Sequence, residues 1–268
     1  MLCRNGFFVA FRCGCIYNKY VFSFSEKETV ALQKDILHKI RQASKKDIFL
    51  GLLMLATGIA ITIAGIHYKQ HFFRIMPLYV SLIIGFLQSR VNRYSSLMGS
   101  INSLVYGAVY FYYNLYGSAL SAILFSCPIQ MVTFIRWNKN KRGESTVLRK
   151  MTARQRIVLG LTFVVFLVIL WLVLPLLGAE YVFLDSASTV LGIMIYFLTM
   201  FAYIEYPFFM IINGLITIAL YISMLEQTPE TMSHLIFAIY SFVCTVFALF
   251  EAKKLYGRQQ QENTAQQA

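Results

Sequence analysis

Apolar residues in this chain come in runs of about twenty, the length an α-helix needs to cross a hydrocarbon core. Eight such runs lie at about 47–67, 73–88, 94–113, 117–137, 154–177, 183–203, 206–224 and 233–252. Pro77 interrupts the second near its start, and only Asn114, Leu115, Tyr116 and Gly117 join the third to the fourth. The pattern predicts an all-α multi-pass membrane protein with eight transmembrane helices.

The polar positions inside these runs carry most of the information. Asn102 and Tyr106 are four apart and share a helix face, while Gln130, Phe134 and Trp137 follow the same rule on the next helix. Pro128 removes one helical hydrogen bond just before Gln130. Asn213, Thr217 and Tyr221 form a similar face in the seventh run. An unpaired amide in hydrocarbon costs roughly 4–8 kcal/mol, so these side chains must face protein, water or a ligand. Interhelical hydrogen bonding is the simpler use of such groups. Amides at matching places in two runs, each beside aromatic rings, favour a ligand site. Amides read base edges and sugar hydroxyls, and rings stack on a heterocycle or a cation. No Lys or Arg is embedded mid-run, which suits a neutral or cationic nucleoside-like molecule and not a phosphate.

A weak repeat supports the pairing. Ile101, Asn102, Ser103 and Leu104 match Ile212, Asn213, Gly214 and Leu215, and a tyrosine follows each asparagine, Tyr110 and Tyr221. Runs two to four and six to eight then form two three-helix units, and run five lets both take the same orientation. The expected organisation is a tail over 1–46 with a basic amphipathic helix and an extra transmembrane helix over 47–67. A first unit over 72–137, a basic loop over 138–153 and a linking helix over 154–177 follow. A second unit over 182–254 and a polar tail over 255–268 complete the chain.

Charge sets the orientation. The chain is 58% apolar, 13% charged and carries a net charge of +12, which excludes an ordinary soluble domain. The basic residues fall on one side: residues 34–46, Arg90 and Arg93, the loop from Arg136 to Arg156, and Lys253, Lys254 and Arg258. The other side receives only Lys69 and Arg74. The positive-inside rule puts both ends in the cytoplasm. Charge so placed points to a membrane and not to nucleic acid. The first 25 residues hold no clean apolar core before Arg12, so no cleavable signal peptide is expected.

Other chemistry is sparse. His67 and His71 have helical spacing but no third ligand nearby, so no metal is expected. The cysteines have no disulfide spacing, and no nucleotide-hydrolysis motif or cofactor signature occurs. Asp185 is expected as a helix N-cap and Glu205 as an interfacial carboxylate before Pro207. A lipid-modifying membrane enzyme would need an interfacial acid–base cluster, and these two carboxylates lie on opposite sides. A scaffold that transports nothing is the other alternative, with the amides serving packing alone.

The sequence resembles the PnuC family of vitamin transporters. The resemblance runs through Gly99, Ser100, Ile101 and Asn102, then Tyr106, then Leu115, Tyr116 and Gly117, then Pro128, Ile129, Gln130 and Trp137. It continues through Leu184 and Asp185 with Thr189, then Ile204, Glu205, Tyr206 and Pro207, then Asn213 and Tyr221. The resemblance implies a non-enzymatic bacterial inner-membrane carrier that takes up nicotinamide riboside, an NAD precursor. It implies duplicated SWEET-like units, three plus one plus three helices with an extra N-terminal helix, and a homotrimer. Transport would be facilitated diffusion, made one-way when a cytoplasmic kinase phosphorylates the nucleoside. Asn102, Tyr106, Gln130, Phe134, Trp137, Met210, Asn213, Thr217 and Tyr221 would bind substrate, with Asp185, Thr189 and Glu205 in gating or structural places. The family usually has tryptophans near Phe134 and Met210, so thiamine, riboflavin and deoxynucleosides, carried by relatives, stay open.

Overall fold

A computed structural model describes residues 45–112, 122–177 and 181–267. Among them are eight α-helices: α1 (Lys45–His67), α2 (Phe72–Ser89), α3 (Tyr94–Tyr112), α4 (Cys127–Lys139), α5 (Ala153–Val173), α6 (Val182–Met200), α7 (Tyr206–Leu225) and α8 (Met232–Gln267). The amphipathic helix expected before residue 45 and the Asn114–Gly117 loop lie outside the described residues.

Three expectations need correction. Helix α2 runs through Pro77, where only the single bond to the carbonyl one turn earlier is lost, close to the helix start. The fourth run is not one α-helix. A π-helical turn, Ala122–Ser126, runs directly into α4, with Ser126 itself in the right-handed helical region and Pro128 at the junction. The polar tail over 255–268 continues α8 as far as Gln267.

Six of the helices, all but α3 and α4, are long and apolar enough to cross a membrane. Helix α3 falls short because it carries Ser95, Ser96, Ser100, Asn102 and Ser103, and α4 because the π-turn leaves it short. Both spend their polar residues on a cavity, described below.

From Leu50 onward the chain forms one compact unit. Within it α2 packs on α3, α3 on α4, α4 on α6, α6 on α7, α7 on α8, and α8 back on α2. These six helices close a ring. Helix α5 packs outside on α6 and buries no residue of its own, as expected of a helix facing lipid. Helix α1 also stays outside the ring. Its Ile61 joins Leu78 and Leu82 of α2 and Tyr240 and Cys244 of α8 in an apolar cluster, and Thr62 bonds the Tyr79 hydroxyl at 2.7 Å. The Tyr240 hydroxyl closes the ring by donating to the Leu82 carbonyl at 2.8 Å.

The turns after α2 and α6 have the same backbone. Val91 N–H bonds Gln88 O and Asn92 N–H bonds Leu87 O; Ala202 N–H bonds Thr199 O and Tyr203 N–H bonds Leu198 O. In each, the residue that ends the helix is left-handed, with φ 53° at Val91 and 57° at Ala202. This is a Schellman-type helix stop, usually built with glycine. Counting from Asn102 and Asn213, Val91 and Ala202 occupy the same place in the two repeats.

Both turns touch the loop between α4 and α5. That loop folds into a short hairpin, β1 (Lys141–Arg142) with β2 (Ser145–Thr146), turned by Gly143 at φ 58°. Arg93 N–H bonds Glu144 O, while Arg149 N–H bonds Ala202 O and its carbonyl accepts Ile204 N–H. Gln259 of α8 clamps Leu148 from both sides, accepting its N–H at 3.1 Å and donating to its carbonyl at 3.2 Å. Beneath the loop, Val91, Trp137, Leu148, Met151, Leu198, Ala202, Tyr206 and Ala252 form a buried cluster.

Candidate binding cavity

The ring encloses a cavity of about 750 Å³ lined by all six of its helices and by neither α1 nor α5. No Asp, Glu, Lys, Arg or His lines it among the described residues. The lining is mostly small residues, hydroxyls and amides, with aromatic rings at both ends.

Helices α3 and α7 present it with equivalent positions. Counted from the two asparagines, Ser95 matches Tyr206, Gly99 matches Met210, Ser103 matches Gly214 and Tyr106 matches Thr217, and every one of these lines the cavity. Counted in the same way, Ser81, Gly85 and Gln88 of α2 match Gly192, Tyr196 and Thr199 of α6, and these too line the cavity.

The amides differ in what they hold. Asn102 is 4% exposed, and its Nδ2 donates to Ser81 Oγ at 2.8 Å. Ser81 in turn donates to the Pro77 carbonyl at 2.9 Å, so its hydroxyl proton is spent and Asn102 must offer N–H. That fixes the amide's orientation and leaves Asn102 Oδ1 buried with no hydrogen-bond partner. Asn213 Oδ1, its counterpart on α7, is also buried with no partner. A buried unsatisfied acceptor costs about 1–3 kcal/mol. The two stand at matching places on one cavity.

Gln130 is more fully engaged. Its Nε2 donates to Ser103 Oγ at 3.0 Å and to Ser126 Oγ at 3.2 Å. Its Oε1 lies against Gly99, where even a methyl group would overlap it. The glycine of the Gly99–Asn102 stretch is therefore what admits Gln130 to the cavity. Ser126 continues the chain of hydroxyls to Tyr196 at 3.4 Å, and Ser188 meets Thr217 at 3.2 Å.

Of the residues expected at a site, Asn102, Tyr106, Gln130, Trp137, Thr189, Met210, Asn213, Thr217 and Tyr221 line this one cavity. Phe134 does not. It sits outside the lining with its ring centre 5.8 Å from that of Tyr94. Trp137 closes one end more than it walls the middle. It is 2% exposed, its indole N–H donates to the Thr199 carbonyl at 2.7 Å, and its ring meets Tyr206 edge-on at 6.3 Å.

The two carboxylates stand apart from the cavity. Asp185 is not the N-cap of α6; that place belongs to Tyr181, and Asp185 lies inside the first turn, where its negative charge suits the helix dipole. Glu205 accepts Met151 N–H at 3.1 Å and pairs with Arg156 at 3.0 Å, tying the loop to the start of α7. Sequence reading missed Gln88, whose Nε2 lies 3.3 Å from Met210 Sδ, and the serines of the lining with Thr133, Thr199 and Thr245. Gln88 was findable as an amide at the end of an apolar run.

A ring of membrane helices around an uncharged, amide-lined cavity defines a solute-binding membrane protein of the transporter class. Residues 71–254 match the family model for nicotinamide mononucleotide transporters, and the chain belongs to that family, PnuC. None of the curated proteins compared with it matches. Among solved structures, the fold is similar to one described as the crystal structure of the vitamin B3 transporter PnuC. The TM-score is 0.64 at 19% identity, over 78% of this chain and 92% of that one.

Proposed function

We propose that the chain takes up nicotinamide riboside by facilitated diffusion, with cytoplasmic phosphorylation trapping the product. The observation that carries this reading is the pair of unpartnered acceptors, Asn102 Oδ1 and Asn213 Oδ1, in a cavity without charge. A carboxamide N–H and ribose hydroxyls are the donors such acceptors need. The missing cation disfavours a phosphate, hence the mononucleotide of the family's name, and suits the nucleoside. Gln130, Thr189 and Thr217 supply further polar contacts, and Tyr106, Trp137, Met210 and Tyr221 supply apolar wall. Among the described residues no carboxylate or histidine lines the cavity to couple transport to protons, which favours passive exchange.

The wider reading follows the ring. The order α2–α3–α4–α6–α7–α8, with equivalent positions on α3 and α7, supports two three-helix units in a SWEET-like three-plus-one-plus-three plan, α5 linking them and α1 as the extra helix. The basic residues favour a cytoplasmic hairpin end, and the family a bacterial inner membrane. A homotrimer is the assembly we expect from the family. A second substrate reading rests on Phe134 and Met210, which stand near where family members usually have tryptophan: with ring stacking weaker or shifted, thiamine, riboflavin or a deoxynucleoside is the alternative cargo.

Uptake into proteoliposomes tests these readings together. Nicotinamide riboside should enter down its gradient without ATP and be indifferent to proton or sodium gradients, while the mononucleotide, thiamine, riboflavin and deoxynucleosides should lag. Accumulation above equilibrium under an ion gradient would refute passive transport, and faster entry of another solute would reassign the substrate. In the orientation proposed, a cysteine placed at Gln227 should react with an impermeant reagent from outside, and one at Lys141 should not. Labelling at Lys141 would reverse the topology.

A further inference from the structure

A second cavity, of about 380 Å³, lies outside the ring between α5 and the end of α6. Arg154, Val158 and Thr162, one turn apart along α5, form one wall, and Phe197, Phe201 and Tyr203 form the other. The groove is apolar along its length and polar at one end. There the polar groups are mostly spent on each other: Gln155 Nε2 donates to the Tyr203 hydroxyl at 3.0 Å, and Gln155 Oε1 accepts Thr152 N–H at 2.9 Å.

The positive charge at that end is not spent. Arg154 lines the groove, and the Arg136 guanidinium sits over the Phe201 ring, 4.6 Å from its centre. Neither has an acidic partner among the described residues. The carboxylate beside them, Glu205, is taken by Arg156 and by Met151 N–H. The groove opens beside the first turns of α5, a helix with no buried residue that follows directly on the basic loop. That is the membrane–water boundary, where a chain-lined slot with Arg154 in its wall and Arg136 stacked on its Phe201, neither paired with an acid among the described residues, matches one kind of molecule: an acyl chain below an anionic headgroup.

We propose that this groove is a binding site for an anionic phospholipid, with its headgroup phosphate on Arg136 and Arg154 and an acyl chain along Val158, Thr162 and Phe197. The arginine fork suits a phosphate. The lipid would brace the linking helix against the ring from outside, and the site is independent of what the central cavity carries.

The test uses the purified full chain in mild detergent, melted in the presence of phosphatidylglycerol or phosphatidylcholine, with retained lipid counted by native mass spectrometry. Phosphatidylglycerol should raise the melting temperature and stay bound, and phosphatidylcholine should do neither. R136Q/R154Q should bind phosphatidylglycerol roughly thirtyfold more weakly, from the contribution of two basic residues at an anionic surface. T162W should also release it by filling the slot with the charges intact, and this variant carries the test if the double variant fails to fold. K253Q/K254Q, elsewhere among the basic residues, should bind as the unaltered chain does. An equal response to both lipids, or full retention by R136Q/R154Q and T162W, would overturn the proposal. So would loss of oligomer without any lipid dependence in those variants, which would make the groove a contact between copies.

Discussion

Asn213→Ala should bind nicotinamide riboside roughly tenfold to a hundredfold more weakly, the cost of a buried donor left without its acceptor. Its melting temperature should not fall. The reasoning is local. Asn213 Oδ1 has no partner in the protein, so removing it breaks no protein hydrogen bond and relieves a buried unsatisfied group. Gln130→Ala is the control with the opposite signature. Gln130 holds Ser103 and Ser126, so that variant should lose stability and affinity together. Isothermal calorimetry and melting curves on the purified variants separate the cases. An Asn213→Ala protein that melts early but binds normally would make the amide packing glue and remove it from the site.

Trp137→Ala should be the most damaging single change for stability, at about 3–5 kcal/mol for truncating a large buried aromatic. The side chain is fully packed in the cluster that ends the cavity, and its N–H satisfies the Thr199 carbonyl. Trp137→Phe keeps a ring but loses the indole N–H; the Thr199 carbonyl still accepts the Ala202 N–H, so the lost bond should cost only about 0.5–1.5 kcal/mol. Thermal or denaturant melting reads both. A Trp137→Ala chain that melts like the parent while losing only affinity would make the residue a pocket wall with no structural role.

The helices were legible because apolar runs of membrane length admit few other readings. The asparagine pair was legible because a buried amide is conspicuous in hydrocarbon. The serines were not, since a helical hydroxyl can satisfy itself on the carbonyl one turn back, as Ser81 and Ser103 do, and so gives little signal. Phe134 was misplaced by a small rotation. The cavity face of α4 runs through Ser126, Gln130, Thr133 and Trp137, and at 3.6 residues per turn Phe134 lies roughly 70° from its centre. Spacing from Gln130 alone could not fix which side of that residue the face extends. The role of Glu205 depends on Met151 and Arg156, far away in sequence, and no local pattern announces such a pairing. The turns at Val91 and Ala202 carry no glycine, so nothing in the residues marked their left-handed backbone.

Those two turns also work as a matched pair of springs. A residue with a side chain costs about 1–2 kcal/mol in the left-handed region, and for a β-branched one such as Val91 that backbone is an outlier. Such a conformation persists only where its surroundings over-determine it. Here both residues are pressed into the cluster around Trp137, one from each half of the ring. The cluster around Trp137 thus carries a backbone load of roughly 2–4 kcal/mol that its own packing maintains. Loosening the cluster, as Trp137→Ala would, should therefore relax both turns at once, and amide exchange at Asn92 and Tyr203, whose N–H groups close them, should rise together.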